Sequence, residues 1–126
     1  MAPYPPNGEE FKVSDPIAEF ARTHNWSLEN VQLAVEAGFR CQYCDRSFLD
    51  NADSYFSFTV DHLVPKGAGG GESISNKVLS CRLCNVNLKS RWNPMSVLTG
   101  EVTKERLLQV AREYIRERRA EQEARV

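Results

Sequence analysis

The chain has 126 residues, the length of one ordinary domain, and such a chain can bury roughly two thirds of its surface. Its charge is nearly balanced, 16 Lys+Arg against 17 Asp+Glu, so net charge announces no nucleic-acid partner and any basic surface must be local. No apolar stretch approaches membrane-spanning length, and "MAPYPPNGEE" has neither a basic region nor an apolar segment, so a secretory signal is not expected and the cytoplasm is the expected location.

Residues 1–13 contain Pro and Gly and are expected to be extended or flexible. "SDPIAEFARTHN" predicts a short helix, with Ser14 or Asp15 as cap, Pro16 in the first turn, and Ile17, Phe20 and Ala21 on one face. "SLENVQLAVEAGF" predicts a second helix, capped by Ser27 and ended by Gly38, with Leu28, Val31, Leu33 and Val35 turned inward. "DRSFLDNADSY" reads as a polar connection, "FSFTV" as a strand, and "KVLSC" as a second strand antiparallel to it. "RLCNVNLKSR" predicts a helix and "NPMSVLTGE" a connection. From Thr103, a capping residue, a long helix follows over 103–123 with Leu107, Val110, Ala111 and Tyr114 as its apolar stripe. Its tail interleaves both signs of charge and reads as a solvated face with i,i+4 ion pairs. The sharper alternative is a contact made by Arg116, Arg118 and Arg119.

The four cysteines form two Cys-x-x-Cys pairs, Cys41/Cys44 and Cys81/Cys84, separated by 36 residues. A reducing compartment disfavours disulfides, and a redox pair would call for a single motif at a helix start in a βαβ pattern. Two such knuckles instead fit a closed, tetrahedral four-thiolate zinc site. Zinc held this way contributes ~10–16 kcal/mol at neutral pH, enough to hold a small, loop-rich core.

Between the knuckles lies "TVDHLVPKGAGGGESISNKVL". An acid and an imidazole, Asp61 and His62, end an apolar strand, and a proline and a glycine-rich loop follow. Phosphodiester hydrolysis needs a base for water, a cation on the phosphate oxygens and help for the leaving oxygen. His62 suits the base, because an imidazole titrates near neutrality. Asp61 is a hard carboxylate suited to Mg2+ or Mn2+, and the amide oxygen of Asn85 can complete the protein ligands. Neighbouring strand residues point to opposite faces, so Asp61 and His62 can share a site only where the strand ends. Pro65 and "GAGGG" fit that requirement. Asn76 is expected to brace the loop through backbone groups. Asn85 and Lys89, four apart on a helix, share a face, whereas Asn87 points elsewhere. Lys66, Arg82, Lys89 and Arg91 are candidate nucleic-acid contacts, each weighed against an ordinary exposed cation. A lone His is more often structural than catalytic, and His24 is read that way.

The ordered set "CQYC", "TVDHLVPKGAGGGESISNKVL" and "CRLCNVNLK" resembles the HNH endonucleases, the ββα-metal nucleases with a four-cysteine zinc scaffold. The resemblance spans about residues 40–94, under half of the chain. It implies His62 as the first histidine of the motif, Asn76 as its central asparagine and Asn85 at the last position, which is often histidine in the family. Asparagine there favours a Mg2+-type site over a toxin-type site with extra histidine ligands. The resulting expectation is one α+β domain, 1–126, with an HNH core clipped by zinc at Cys41, Cys44, Cys81 and Cys84, N-terminal helices before it and a long helix after it. The expected activity is metal-dependent endonucleolytic cleavage, with DNA the expected substrate and RNA left open. A homodimer or a larger protein partner is a further expectation. The competing reading is an inactive zinc-stabilised module that binds nucleic acid or a protein.

Overall fold

The computed structural model describes residues 16–126. The expectations for residues 1–13, for Ser14 and Asp15 as caps and for the side chain of Ile17 lie outside the described residues. Helices α1 (Pro16–His24), α2 (Leu28–Glu36) and the single turn α3 (Ala52–Tyr55) precede a two-stranded antiparallel sheet of β1 (Phe58–His62) and β2 (Lys77–Cys81). A π-helix, Leu83–Lys89, and the twenty-residue helix α4 (Lys104–Glu123) complete an α+β architecture. No helix among the described residues is long and apolar enough to cross a membrane.

Capping fixes the helix starts. Ser27 accepts from the Asn30 backbone N–H at 3.1 Å, and Thr103 accepts from that of Arg106 at 3.1 Å, each occupying one of the free donors of a first turn. The inward face of α2 differs from expectation. Val31, Leu33 and Ala34 are buried, whereas Leu28 and Val35 are exposed. Residues 28 and 35 lie seven apart, on the side of the helix opposite the arc that packs. In α4 the buried stripe is Leu107, Leu108, Ala111 and Ile115, with Val110 and Tyr114 half-buried at its margin.

The connection after the first knuckle is less polar than its composition suggests. Phe48 is 2% exposed and joins the core, and Asn51 caps α3 by accepting from the Ser54 N–H at 2.9 Å. Strand β1 begins two residues later than "FSFTV" implied and runs through the acid–imidazole pair. Asp61 pairs with Val78, and His62 pairs with Lys77. Phe56 is left outside the sheet and is 81% exposed.

The segment after β2 is a π-helix rather than an α-helix. Its closing bond runs five residues, from the Ser90 N–H to the Asn85 carbonyl at 2.8 Å, and Ser90 takes φ 52° to end it. One cluster of buried residues runs through α2, the first knuckle, β2, the π-helix and α4, and half-buried Phe58 and Val60 of β1 pack against it. Helix α4 closes over the π-helix, where Trp92 and Tyr114 stack with centroids 3.9 Å apart and planes at 3°. His24 sits in the aromatic group at the N-terminal end, stacked on Phe20 at 4.1 Å and bonded through Nδ1 to the Tyr55 hydroxyl at 2.9 Å.

Candidate active site and metal centre

The two knuckles meet at the end of the hairpin farthest from its loop. The four Sγ atoms lie within 4.8 Å of one another, and Cys44 Sγ is 3.8 Å from Cys81 Sγ. All four cysteines are free, and Cys41, Cys81 and Cys84 are buried. Tetrahedral thiolate bonds of about 2.3 Å put sulfurs about 3.8 Å apart, so the set fits a metal ion of zinc's geometry. The sulfurs also share protons unevenly. Hydrogen bonds from Cys44, then Cys81 and Cys84, hold the Cys41 thiol far below its ordinary range, and the bond to Cys41 pushes Cys84 far above it. Such a set releases protons when a cation replaces them. Arg119 of α4 donates to Cys84 Sγ at 3.5 Å; burial is the largest single influence and works against its charge, and that bond together with the charges of Cys84, Cys44 and Cys81 outweighs it.

At the loop end of the hairpin, a cleft of about 300 Å³ is lined by Asp61, His62, Pro65, Lys66, Asn85, Val86, Ser90 and Arg91. The two neighbours on β1 turn opposite ways, as strand geometry requires. The Asp61 side chain lies inward, on the face covered by the π-helix. Its Oδ2 accepts from the Tyr43 hydroxyl at 2.6 Å and lies 3.1 Å from Lys89 Nζ. His62 turns toward the loop, where Nε2 lies 3.2 Å from Glu72 Oε2. Asn85 donates through Nδ2 to Thr59 Oγ1 at 2.9 Å, and Thr59 donates in turn to the Ser80 carbonyl at 2.9 Å. Thr59 and Asp61 are two apart on β1 and therefore share the face that Asn85 meets. With its amide nitrogen held by Thr59, Asn85 presents its amide oxygen as the remaining acceptor.

Asn76 is bonded on every side to the loop. Its Oδ1 accepts from the Val64 N–H at 2.9 Å, and its Nδ2 donates to the carbonyls of Val64 and Gly71, both at 3.0 Å. The glycine run is required mainly at one place. A Cβ on Gly70 would stand 1.7 Å from the Val64 carbonyl oxygen, whereas Gly67 and Gly71 face open space. Gly69 takes φ 91°, the left-handed region that favours glycine. The Gly70 backbone thus lies against the same carbonyl that Asn76 holds.

Among the expected nucleic-acid contacts, Lys66 and Arg91 are exposed at the cleft, and Arg82 is exposed at the opposite end of the hairpin, next to Ser57. The expectation for Lys89 requires correction. Its side chain is 0% exposed, and Nζ donates to the His62 carbonyl at 3.1 Å besides facing Asp61. The i,i+4 relation to Asn85 holds, but it turns Lys89 under β1 and not outward. Asn87 is exposed, away from the cleft lining. Arg118 and Arg119 turn back onto the π-helix, and Arg116 remains exposed.

Three residues of the site escaped the sequence reading: Tyr43, Thr59 and Glu72. Tyr43 lies inside the first knuckle, and Thr59 two residues before Asp61, so position offered a faint signal for both. Glu72 follows the glycine run with no periodicity to mark it. Its carboxyl is held down at about 2, first by the hydrogen bond from Lys66 and then by that from His62.

Residues 41–91 match the family model described as HNH endonuclease. This segment is an HNH domain. β1, β2 and the π-helix are the ββα unit of that domain, and the cysteine cluster and the cleft lie at its two ends. No curated protein matches the chain.

Proposed function

We propose that the protein is a metal-dependent endonuclease that hydrolyses phosphodiester bonds in nucleic acid, with DNA as its substrate. One observation carries the reading: Asp61, His62 and Asn85 line a single cleft within an HNH domain. His62 acts as general base. With the Nε2 proton donated to Glu72, Nδ1 is the nitrogen left to take a proton from water. Asp61 and Asn85 would hold a Mg2+ or Mn2+ ion, which when bound supplies charge for the phosphate oxygens. The donor set suits a hard cation, because both residues offer oxygen and line the cleft. Asn76 keeps His62 aimed by bracing Val64 and Gly71. Lys66 and Arg91 meet the phosphate backbone at the cleft, and Arg82 extends the basic surface. The four cysteines hold zinc as a closed structural site with no part in the chemistry. The chain works as one domain over 1–126, and one cleft per copy favours nicking, so cutting both strands calls for two copies or a partner.

Plasmid nicking tests this. After mild EDTA the protein is expected to be folded and inactive, and Mg2+ or Mn2+ should restore nicking. Asn85→Ala should weaken that rescue at low metal and recover partly at high metal, because a ligand is lost and the base is kept. Asn76→Ala should lower the rate at every metal concentration, because the loop that aims His62 is loosened. Asn87→Ala should cut like wild type. No nicking at any Mg2+ or Mn2+ concentration, with nucleic-acid binding retained, would replace this reading by the inactive binding module.

A further inference from the structure

A buried lysine is the least expected feature of this core. Lys89 is fully enclosed, and an uncompensated ammonium there would be strongly destabilising. Two oxygens meet it at 3.1 Å, Asp61 Oδ2 and the His62 carbonyl. Tyr43, 6% exposed, brings a second buried donor to the same Oδ2 at 2.6 Å. Apolar residues at 43, 61 and 89 together would fill comparable space without burying polar atoms, and well-packed apolar replacements of whole buried ion pairs are often neutral or stabilising. Core packing alone therefore does not account for the pair.

Their placement does. Tyr43 belongs to the loop between Cys41 and Cys44, and Lys89 ends the π-helix that begins beside Cys81 and Cys84. Each cysteine knuckle thus sends one donor to the same carboxylate. Both donors meet Oδ2, and among the described residues none is bonded to Oδ1. The carboxylate is pinned by one oxygen and keeps the other to offer. Lys89 also holds the His62 carbonyl, so the two residues that end β1 are fixed by one ammonium.

We propose that Tyr43 and Lys89 are positioning residues that reach Asp61 from the two cysteine knuckles and orient its carboxylate for the divalent cation of the cleft. This rests on Asp61 being a ligand of that cation. Partners that orient a metal-ligating carboxylate matter to affinity almost as the ligands do, and losing one typically costs 10–100-fold. A role in folding alone would leave metal affinity unmoved.

The test is a calorimetric titration of Mn2+ into the full chain, with its cysteine-bound metal in place, for wild type, Asp61→Asn, Tyr43→Phe and Lys89→Met. Tyr43→Phe removes one oxygen and leaves no unpaired donor, so it is expected to retain one zinc per chain. Its Mn2+ Kd should rise about tenfold, and nicking at saturating Mn2+ should return to within about threefold of wild type. Lys89→Met, where it folds, should shift Kd at least as far. A Tyr43→Phe Kd within twofold of wild type, with Asp61→Asn clearly weakened, would overturn the positioning role and leave Asp61 a ligand. An unchanged Kd in Asp61→Asn would instead remove Asp61 as ligand, and both readings would fall.

Discussion

Replacing His62 by alanine is expected to lower the cleavage rate by roughly 10²–10⁴-fold, the usual contribution of general-base catalysis. The fold should survive. His62 is the last residue of β1, its ring is partly exposed, and its side-chain hydrogen bond is to Glu72 on an exposed loop. Its backbone carbonyl, which receives the Lys89 ammonium, is untouched by the change. Zinc content, circular dichroism and Mn2+ affinity should therefore match wild type while nicking falls. The defect should also be independent of metal concentration, because a base is lost and the oxygen ligands remain. That independence separates His62→Ala from Asn85→Ala, whose defect should shrink as metal rises. Folded His62→Ala protein that nicks at the wild-type rate would rule out His62 as the base.

The parts of this molecule that could be read in advance are those in which one residue type has few alternatives. Paired Cys-x-x-Cys motifs announced a four-sulfur cluster, and the sulfurs do lie together. "KVLSC" was legible as a strand to the residue, because its apolar run follows the glycine-rich loop and ends in the second knuckle. Ser27 and Thr103 were legible as caps, because a hydroxyl before an apolar-periodic run has a specific donor to meet. What could not be read depended on tertiary context. A nine-residue helix with apolar residues on more than one side does not reveal which arc packs, and α2 turned Leu28 and Val35 outward. The π-helix has no periodic signature separable from an α-helix over seven residues, and only the Ser90–Asn85 bond and the positive φ at Ser90 distinguish it.

The fate of Lys89 is the clearest instance. From sequence, a lysine beside basic neighbours on a candidate active-site helix reads as a phosphate contact, because lysines are rarely buried. Burial is offset here by two partners far earlier in the chain, the Asp61 carboxylate and the His62 carbonyl at the end of β1. Helix spacing put Asn85 and Lys89 on one side correctly. It could not say whether that side faced solvent or β1.

Removing the cysteine-bound metal should have the largest effect on stability. A four-thiolate zinc site contributes ~10–16 kcal/mol at neutral pH. A domain of this size has a net stability of about 5–15 kcal/mol, so stripping the ion should cancel most or all of it. The structure indicates what would be released. Cys41 and Cys44 hold the segment that carries Tyr43, and Gln42 of the same loop bonds to β2 through its N–H to the Leu79 carbonyl and through its side-chain oxygen to the Leu79 N–H. Cys81 ends β2, and Cys84 lies in the π-helix and accepts from Arg119 of α4. One ion at this place would tie together the first knuckle, the sheet, the π-helix and α4, and its loss should unfold them as a unit. A strong chelator is therefore expected to abolish the cooperative thermal transition, whereas mild EDTA should take only the weaker ion of the cleft. Cys41→Ser and Cys84→Ser should give insoluble or unfolded protein, since each leaves three sulfurs around a buried cation. Metal analysis of purified wild-type protein should find one zinc per chain. Soluble, cooperatively folding protein with no zinc and a Cys41–Cys44 disulfide would remove the metal from the scaffold.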